Sequence, residues 1–349
     1  MSLLRRLLLL IAIAAAAPMA SAAGNWNRLP PLPDPKGFAG AYCGVSNGIL
    51  LVAGGSNFPD KPPWEGGAKV WYDTVYALDR LDGTWRVAGH LPRPLAYGVS
   101  ITHQDTLICI GGGDSKRNYP DVFRLEFKEG KLSTTPLPPL PKSLASAAGA
   151  LLNNTLYIAT GQQTPNATEA SKSIYTLDLA AAKPTWREID PLPGPARILP
   201  TAAAFNNAFY LSGGAELTPD QNNKPQRHYL KDAYRFDRQT GWHRIADLPH
   251  PIVAAPSPAP TDPTGFYLLG GDDGSQVTSP PDQHRGFSRS ILRYDAKHDQ
   301  WTDAGEMPAD PPVTTSVAGW RKQWIIPTGE IHPGIRSPSV WSWTPTPRE

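Results

Sequence analysis

A carboxylate and a guanidinium lie six residues apart in the segment 329–336 (GEIHPGIR), near the end of the chain. Glu330 can take up and return a proton, and Arg336 can form two parallel hydrogen bonds with a carboxylate. Pro333 and Gly334 lie between them and predict a turn. The alternative interpretation is an exposed ion pair, which contributes little to stability. The choice depends on where the fold places this turn.

The fold is indicated by an internal repeat. Six apolar runs end in one or two glycines: 49–55 (ILLVAGG), 107–112 (LICIGG), 156–161 (LYIATG), 209–214 (FYLSGG), 266–271 (FYLLGG) and 324–329 (WIIPTG). Most are followed by a loop, a second strand that ends near an Asp, and a strand with a Trp: Trp85, Trp186, Trp242 and Trp301. This pattern resembles the kelch motif, whose repeats form four-stranded propeller blades. The sequence therefore predicts an all-β fold, a six-bladed β-propeller; six ordered copies argue against a generic β-sandwich.

The repeat also predicts how the ring closes. The blades are expected at 37–92, 95–141, 144–193, 197–249, 252–308 and, for the last, 313–343 plus 24–33. The sixth copy ends one strand short of a blade, and 25–30 (NWNRLP) has the character of the missing Trp strand. Pairing of the two ends would remove open sheet edges. The longest loops are expected at 56–71, 215–231 and 272–288, and long loops on a rigid scaffold usually carry function.

The N-terminus has the pattern of a secretory signal. Arg5 and Arg6 precede an apolar run at 7–17, and 20–22 (ASA) offers a cleavage site. Residues 1–22 are therefore predicted to be a signal peptide, with an uncleaved membrane anchor as the alternative, and 23–349 a single propeller. We expect the protein in a bacterial periplasm, without membrane attachment once the signal is cleaved.

Charge and cysteine content limit the choice of partners. Without Arg5 and Arg6, the 33 basic residues fall to 31, equal to the 31 acidic residues, and no long basic run is present. Nucleic acid is therefore not an expected partner. Cys43 and Cys109 lie in apolar runs, so a disulfide and two buried thiols both stay open, and their spacing predicts no metal site. A monomer or a homodimer is expected.

Several segments resemble the bacterial N-acetylneuraminate epimerase (sialic acid mutarotase) family in a cyclically permuted form. They are 26–31 (WNRLPP), 37–40 (GFAG), 52–59 (VAGGSNFP), 64–67 (WEGG), 96–100 (AYGVS) and the complete GExxPGxR pattern at 329–336. The resemblance implies exchange between the α and β anomers of sialic acid, with Glu330 as the catalytic base and Arg336 as its catalytic companion. This chemistry requires no metal or organic cofactor. The loop after Gly271 is shorter than the corresponding family segment.

Four more residues are candidate substrate contacts. Glu65 and Lys69 lie in the long blade 1 loop, where a solvated pair is the alternative. Arg197 precedes the inner strand of blade 4, where it could face the propeller axis and bind an anion. Tyr97 starts the inner strand of blade 2 and could line the channel, with core packing as the alternative.

Two other functions stay open at this point. A sialidase would be expected to carry several Asp boxes, and 82–85 (DGTW) is one unrepeated fragment of such a box. A non-catalytic propeller that binds glycan or protein through its loops has the same fold. The complete GExxPGxR turn favours catalysis.

Overall fold

The computed structural model describes residues 24–346 and confirms the six-bladed propeller. Six four-stranded antiparallel sheets form the ring, and apolar side chains pack between neighbouring sheets. The predicted signal peptide lies outside the described residues. Within 24–346, no helix is long and apolar enough to cross a membrane.

The blades follow one another along the chain, each from the inner strand outward. Blade 1 consists of Tyr42–Ser46, Ile49–Ala53, Thr74–Leu78 and Arg86–His90, and blade 2 of Val99–His103, Thr106–Ile110, Val122–Lys128 and Lys131–Leu137. Blade 3 consists of Ala148–Leu152, Thr155–Ala159, Ile174–Asp178 and Arg187–Ile189, and blade 4 of Thr201–Phe205, Ala208–Ser212, Ala233–Asp237 and Gly241–Ile245. Blade 5 consists of Thr261–Asp262, Gly265–Leu269, Ser290–Asp295 and Gln300–Glu306, and blade 6 of Ala318–Trp320, Gln323–Pro327, Val340–Pro345 and Gly24–Leu29.

The two ends of the described chain close the ring, as predicted. Gly24–Leu29 pairs antiparallel with Val340–Pro345 and forms the outer strand of blade 6. Trp26 stacks on Trp343 with 5.6 Å between the ring centroids. The strand that begins the described chain therefore completes the last blade, and no blade is left with three strands.

Tryptophan side chains join four of the blades to the blade before each of them. The indole Nε1 atoms of four of them donate hydrogen bonds of 2.7–2.9 Å to backbone carbonyls of the preceding blade. The donor and acceptor pairs are Trp85 with Pro30, Trp186 with Pro138, Trp242 with Asp190 and Trp301 with Ala246. The tryptophans of the sequence repeat thus hold neighbouring blades together.

A closed circle of backbone hydrogen bonds surrounds the axis. One residue per blade has a positive φ, and its N–H donates to the carbonyl of the equivalent residue in the preceding blade at 2.8–2.9 Å. The six members are Gly40, Tyr97, Ser146, Leu199, Ala254 and Thr314. Because Gly40 donates to Thr314, the circle has no end, and it fixes the positions of all six blades beneath the loops.

The loops after the glycines are more ordered than the sequence pattern suggested. Three contain short antiparallel ribbons: Ser56–Asn57 with Val70–Trp71, Ala215–Pro219 with Pro225–Tyr229, and Glu330–His332 with Ile335–Arg336. Two 3-10 turns, Pro63–Glu65 and Pro281–Gln283, lie in the loops of blades 1 and 5. All of these lie on the face of the ring where the second strands end, and they build one cavity there.

Candidate active site

A cavity of about 430 Å³ opens on this face, above the circle of hydrogen bonds. Glu330, Arg336, Lys69 and Tyr97 all line it, together with residues from every blade. Its volume is that of a small-molecule site. The predicted catalytic pair is therefore directed into an enclosed space near the axis.

The predicted catalytic pair is held by a tight ribbon. Glu330 and Arg336 are direct partners across it, and Gly334 turns the chain between them with φ +80°. The Gly334 N–H donates to Glu330 Oε1 at 2.6 Å, and Arg336 Nη1 lies 3.4 Å from the same oxygen. Within 24–346, Oε2 of Glu330 accepts no hydrogen bond. One oxygen thus fixes the carboxylate and the other can accept a substrate proton.

Arg336 carries buried donors without protein partners. Its side chain is 3% exposed, and its guanidinium carbon lies 4.8 Å from the ring centroid of Phe58. Among the described residues, neither Nε nor Nη1 has a hydrogen-bond acceptor, since the contact with Glu330 is too poorly aligned to count as one. A buried unsatisfied donor is costly, and one attached to a cation is especially so. Arg336 also lines the cavity, where a ligand oxyanion could supply its guanidinium with an acceptor.

Lys69 and Tyr97 reach the cavity together. Lys69 Nζ donates to the Tyr97 hydroxyl at 3.1 Å and lies 5.2–5.6 Å from the ring centroids of Tyr97, Trp71 and Phe58. The Tyr97 hydroxyl also lies 2.8 Å from Ser56 Oγ. Phe58 contacts the cations of both Lys69 and Arg336, so blades 1 and 6 give this side of the cavity a positive charge.

Glu65 does not reach the cavity. It ends the exposed 3-10 turn Pro63–Glu65, and within 24–346 it forms no ion pair with Lys69. Pro63, from the same turn, does line the cavity. Glu65 is therefore not placed to make the expected contact with a substrate bound in this cavity.

Arg197 is fully buried inside blade 4 and does not face the axis. Its Nη1 and Nη2 donate to the carboxylate of Asp232 at 2.8 and 2.7 Å, and its remaining bonds go to the carbonyls of Gly213 and Pro195. Burial alone would raise the pKa of Asp232, but the hydrogen bonds from Arg197 outweigh it and the pKa lies below its usual value. The anion-binding role expected for Arg197 is therefore replaced by a structural ion pair.

Sequence reasoning missed a positional rule that identifies further cavity residues. Glu330 exchanges two backbone hydrogen bonds with Val313, and the residue after the glycines makes the same exchange in every other blade. These positions are Ser56, Gly113, Gln162, Ala215 and Asp272. Gln162 and Asp272 line the cavity, and their place directly after the glycines was the signal that could have found them.

Asp272 places a second carboxylate in the cavity, on the blade next to Glu330. Its Oδ2 accepts a hydrogen bond from the Tyr229 hydroxyl at 2.6 Å, and its Oδ1 accepts one from the N–H of Gly274. Burial and then the nearby Asp272 raise the pKa of Tyr229 well above its usual value, so this phenol stays protonated. The Tyr229–Asp272 pair is thus a fixed part of the wall.

The blade 5 loop is tied to the catalytic ribbon. His332 Nδ1 donates to the carbonyl of His284 at 2.7 Å, and burial lowers the pKa of His284. His284 is therefore neutral at neutral pH. Within 24–346, no three His, Cys, Asp or Glu side chains are grouped so that they could hold a metal ion.

Cys43 and Cys109 are both free and buried, which decides between the two alternatives left open by the sequence. Burial raises the pKa of each thiol above its usual value. Neither thiol is part of the cavity lining.

Comparison with known proteins identifies the family. Residues 12–134 and 137–279 match the profile of the N-acetylneuraminate epimerase family. N-acetylneuraminate epimerases of Yersinia enterocolitica and Salmonella arizonae are 42% and 38% identical over 109 and 119 residues, which are 28% and 30% of this chain. These alignments span 27% and 30% of the relatives' own length.

A solved structure, that of YjhT, has the same fold. It superposes with a TM-score of 0.65 over 90% of this chain and 96% of its own, at 16% sequence identity. The family match ends before the Glu330–Arg336 ribbon, so the assignment of that ribbon depends on its geometry. Because the matched segments cover more than half of the chain, it belongs to the N-acetylneuraminate epimerase family.

Proposed function

We propose that the protein interconverts the α and β anomers of N-acetylneuraminate by acid–base ring opening and reclosure. The observation that carries the proposal is Glu330, with one free carboxylate oxygen, beside the guanidinium of Arg336 in the lining of one cavity. The family name and the names of the relatives supply the substrate.

The substrate has a carboxylate directly attached to its anomeric carbon. In our proposal, the guanidinium of Arg336, which lines the cavity, binds that carboxylate through charge-assisted hydrogen bonds. Since Glu330 is the cross-strand partner of Arg336, the anomeric hydroxyl on the adjoining carbon is then held near the free Oε2. Lys69 adds positive charge to the same side of the cavity.

Ring opening requires one proton to leave and one to arrive. Glu330 takes the proton from the anomeric hydroxyl, the electron pair of the broken O–H bond forms the second C–O bond of the ketone, and the bond to the ring oxygen breaks. The ring oxygen leaves with its electron pair and is protonated, and the protonated Glu330 can supply that proton. Rotation about one C–C bond presents the other face of the ketone, and the reverse steps close the ring. General acid–base assistance of this kind contributes about 10²–10⁴-fold.

Proton NMR tests the proposal directly. The α anomer would be released in place by a sialidase, and the decay of its C3 proton signals followed with and without the protein. We expect acceleration by the wild type and its loss in Glu330→Gln. Glu65→Gln is the matched control, because this exposed carboxylate lies outside the cavity and its loss should leave the rate unchanged.

Two results would overturn the proposal. One is a wild-type protein that does not accelerate the exchange, and the other is a Glu330→Gln variant that retains the wild-type rate. Binding of N-acetylneuraminate without acceleration would instead favour a glycan-binding propeller.

We also propose that the protein acts in the periplasm, because residues 1–22 have the sequence pattern of a secretory signal. Cell fractionation with N-terminal sequencing of the mature protein tests this. A cytoplasmic protein that retains Met1 would contradict it.

A further inference from the structure

The cavity has a different chemical character on its two sides. Blades 6 and 1 contribute the buried cation of Arg336 and the amine of Lys69. Blades 2 and 3 contribute the amides of Asn118 and Gln162 and the carboxylate of Asp114. A ligand that fits both sides carries its negative charge at one end and neutral hydrogen-bonding groups at the other.

Gln162 is central to the side formed by blades 2 and 3. It is the blade 3 counterpart of Glu330, and its backbone exchanges two hydrogen bonds with Ala145 at 2.9 and 3.0 Å. In a six-bladed ring blade 3 is opposite blade 6, so Gln162 lies across the axis from Glu330. Its side-chain amide lines the cavity and forms no hydrogen bond within 24–346. Both its donor and its acceptor are thus open to a ligand.

Asn118 and Asp114 form a fixed wall beside Gln162. The buried Asn118 donates through Nδ2 to the backbone carbonyl of Gln162 at 2.9 Å. Its Oδ1 lies close over Gly113, and a Cβ added to Gly113 would lie 2.3 Å from that oxygen. The Asp114 carboxylate accepts a hydrogen bond of 2.6 Å from the Tyr119 hydroxyl and two more from backbone N–H groups. The wall therefore needs little ordering when a ligand binds.

We propose that Gln162, supported by Asn118, is the subsite for the neutral, hydroxylated tail of a long-chain keto sugar acid. The inference depends on the proposed function, because Arg336 and Glu330 set the position of the carboxylate and the anomeric carbon. A ring held there extends its exocyclic chain away from blade 6, toward the opposite wall. Hydroxyl and acetamido groups are the partners that a free primary amide binds best. Gln162 then distinguishes nine-carbon keto acids from six-carbon ones, which carry no such tail.

Calorimetric binding to two acids tests the subsite. The probes are N-acetylneuraminate and 2-keto-3-deoxygluconate, a six-carbon keto acid, each titrated into the wild type and Gln162→Ala. Loss of a neutral hydrogen bond predicts a Kd for N-acetylneuraminate that rises about three- to tenfold. The Kd for the six-carbon acid should stay unchanged, a difference that a general loss of structure would not produce.

The control and the contrary outcomes separate this inference from the proposed function. Gln239→Ala removes an exposed amide in the outer turn of blade 4, on the opposite face of the ring, and should change neither Kd. Equal weakening of both acids, or no weakening of N-acetylneuraminate, would overturn the role of Gln162 while Glu330-dependent mutarotation could still stand. A wild type that binds neither acid would overturn both.

Discussion

Gly334 is the residue on which the orientation of the catalytic carboxylate most directly depends, and Gly334→Ala is therefore an informative perturbation. Its N–H holds Glu330 Oε1 at 2.6 Å, and its φ is +80°. A Cβ at this position would lie 2.7 Å from Cδ and Cγ of Pro63 and 3.1 Å from Cζ3 of Trp64. The proline ring belongs to the blade 1 loop and cannot rotate away, so the ribbon or that loop has to shift.

The size of the effect follows from two separate costs. A non-glycine residue in the left-handed region costs about 1–2 kcal/mol of folding free energy. Displacement of the Gly334 N–H weakens a hydrogen bond to a charged group, which is worth about 1.5–3 kcal/mol. If that loss enters the activation barrier in full, the rate of the proposed mutarotation falls about 10- to 150-fold.

A second glycine separates the two costs. Gly130 has φ +77°, and a Cβ there would meet no atom within 4 Å. Both Gly130→Ala and Gly334→Ala should lower the free energy of unfolding, measured by chemical denaturation. Only Gly334→Ala should slow anomer exchange in the NMR assay. Equal exchange rates in the two variants would refute the claim that Gly334 positions Glu330.

Four other predictions follow from contacts outside the cavity. Arg197→Ala should lower the free energy of unfolding by about 3–5 kcal/mol, because it leaves Asp232 buried without its partner. The Kd of the folded variant for N-acetylneuraminate should stay unchanged, and a raised Kd would show that Arg197 contributes to binding. Because the pKa of Asp232 is depressed in the folded protein, the pair should stabilise the fold fully above the unfolded pKa of about 3.9 and lose this stabilisation as the pH falls through the folded pKa. Denaturation midpoints should therefore fall in acid, and Asp232→Asn should reduce this dependence on pH. Trp85→Phe should lower the free energy of unfolding by about 1 kcal/mol, because it removes the hydrogen bond to the Pro30 carbonyl beside the strand that closes blade 6. Chemical denaturation measures this, and an unchanged free energy would contradict a stabilising role of that bond. Cys43 and Cys109 should react with a thiol reagent after unfolding and not before, and fast labelling of the native protein would contradict their burial.

The propeller could be predicted because each blade is specified by local sequence. Apolar runs of five residues, glycines that accept a positive φ and a Trp at the outer strand recur in order, and none of these signals requires knowledge of a distant contact. Ring closure was predictable for the same reason, since the Trp26 strand resembles the fourth strands of the other blades. In the structure it pairs as such with Val340–Pro345.

The lining of the cavity was less predictable because it depends on contacts between blades. Arg197 finds Asp232 35 residues away, and one sequence offers no sign of that pairing. Gln162 carries no motif of its own, and its place directly after Gly161 is a signal only once the equivalent positions of the other blades are known to line the cavity. The ribbon in the blade 4 loop likewise follows from pairing of Ala215–Pro219 with Pro225–Tyr229, where the sequence indicated only a long loop.

The ribbon that carries Glu330 and Arg336 is held at the junction where the ring closes, so the proposed activity should depend on closure. Thr328 Oγ1, just before the ribbon, accepts from the Phe38 N–H at 2.6 Å, and Phe58 lies against the guanidinium of Arg336. Pro63 packs on Gly334 from the same blade 1 loop. Blade 6 alone could form the ribbon, but without blade 1 it would have neither the aromatic ring against Arg336 nor the support behind its turn. The catalytic geometry is thus a property of two blades that are adjacent in space and lie at opposite ends of the described chain.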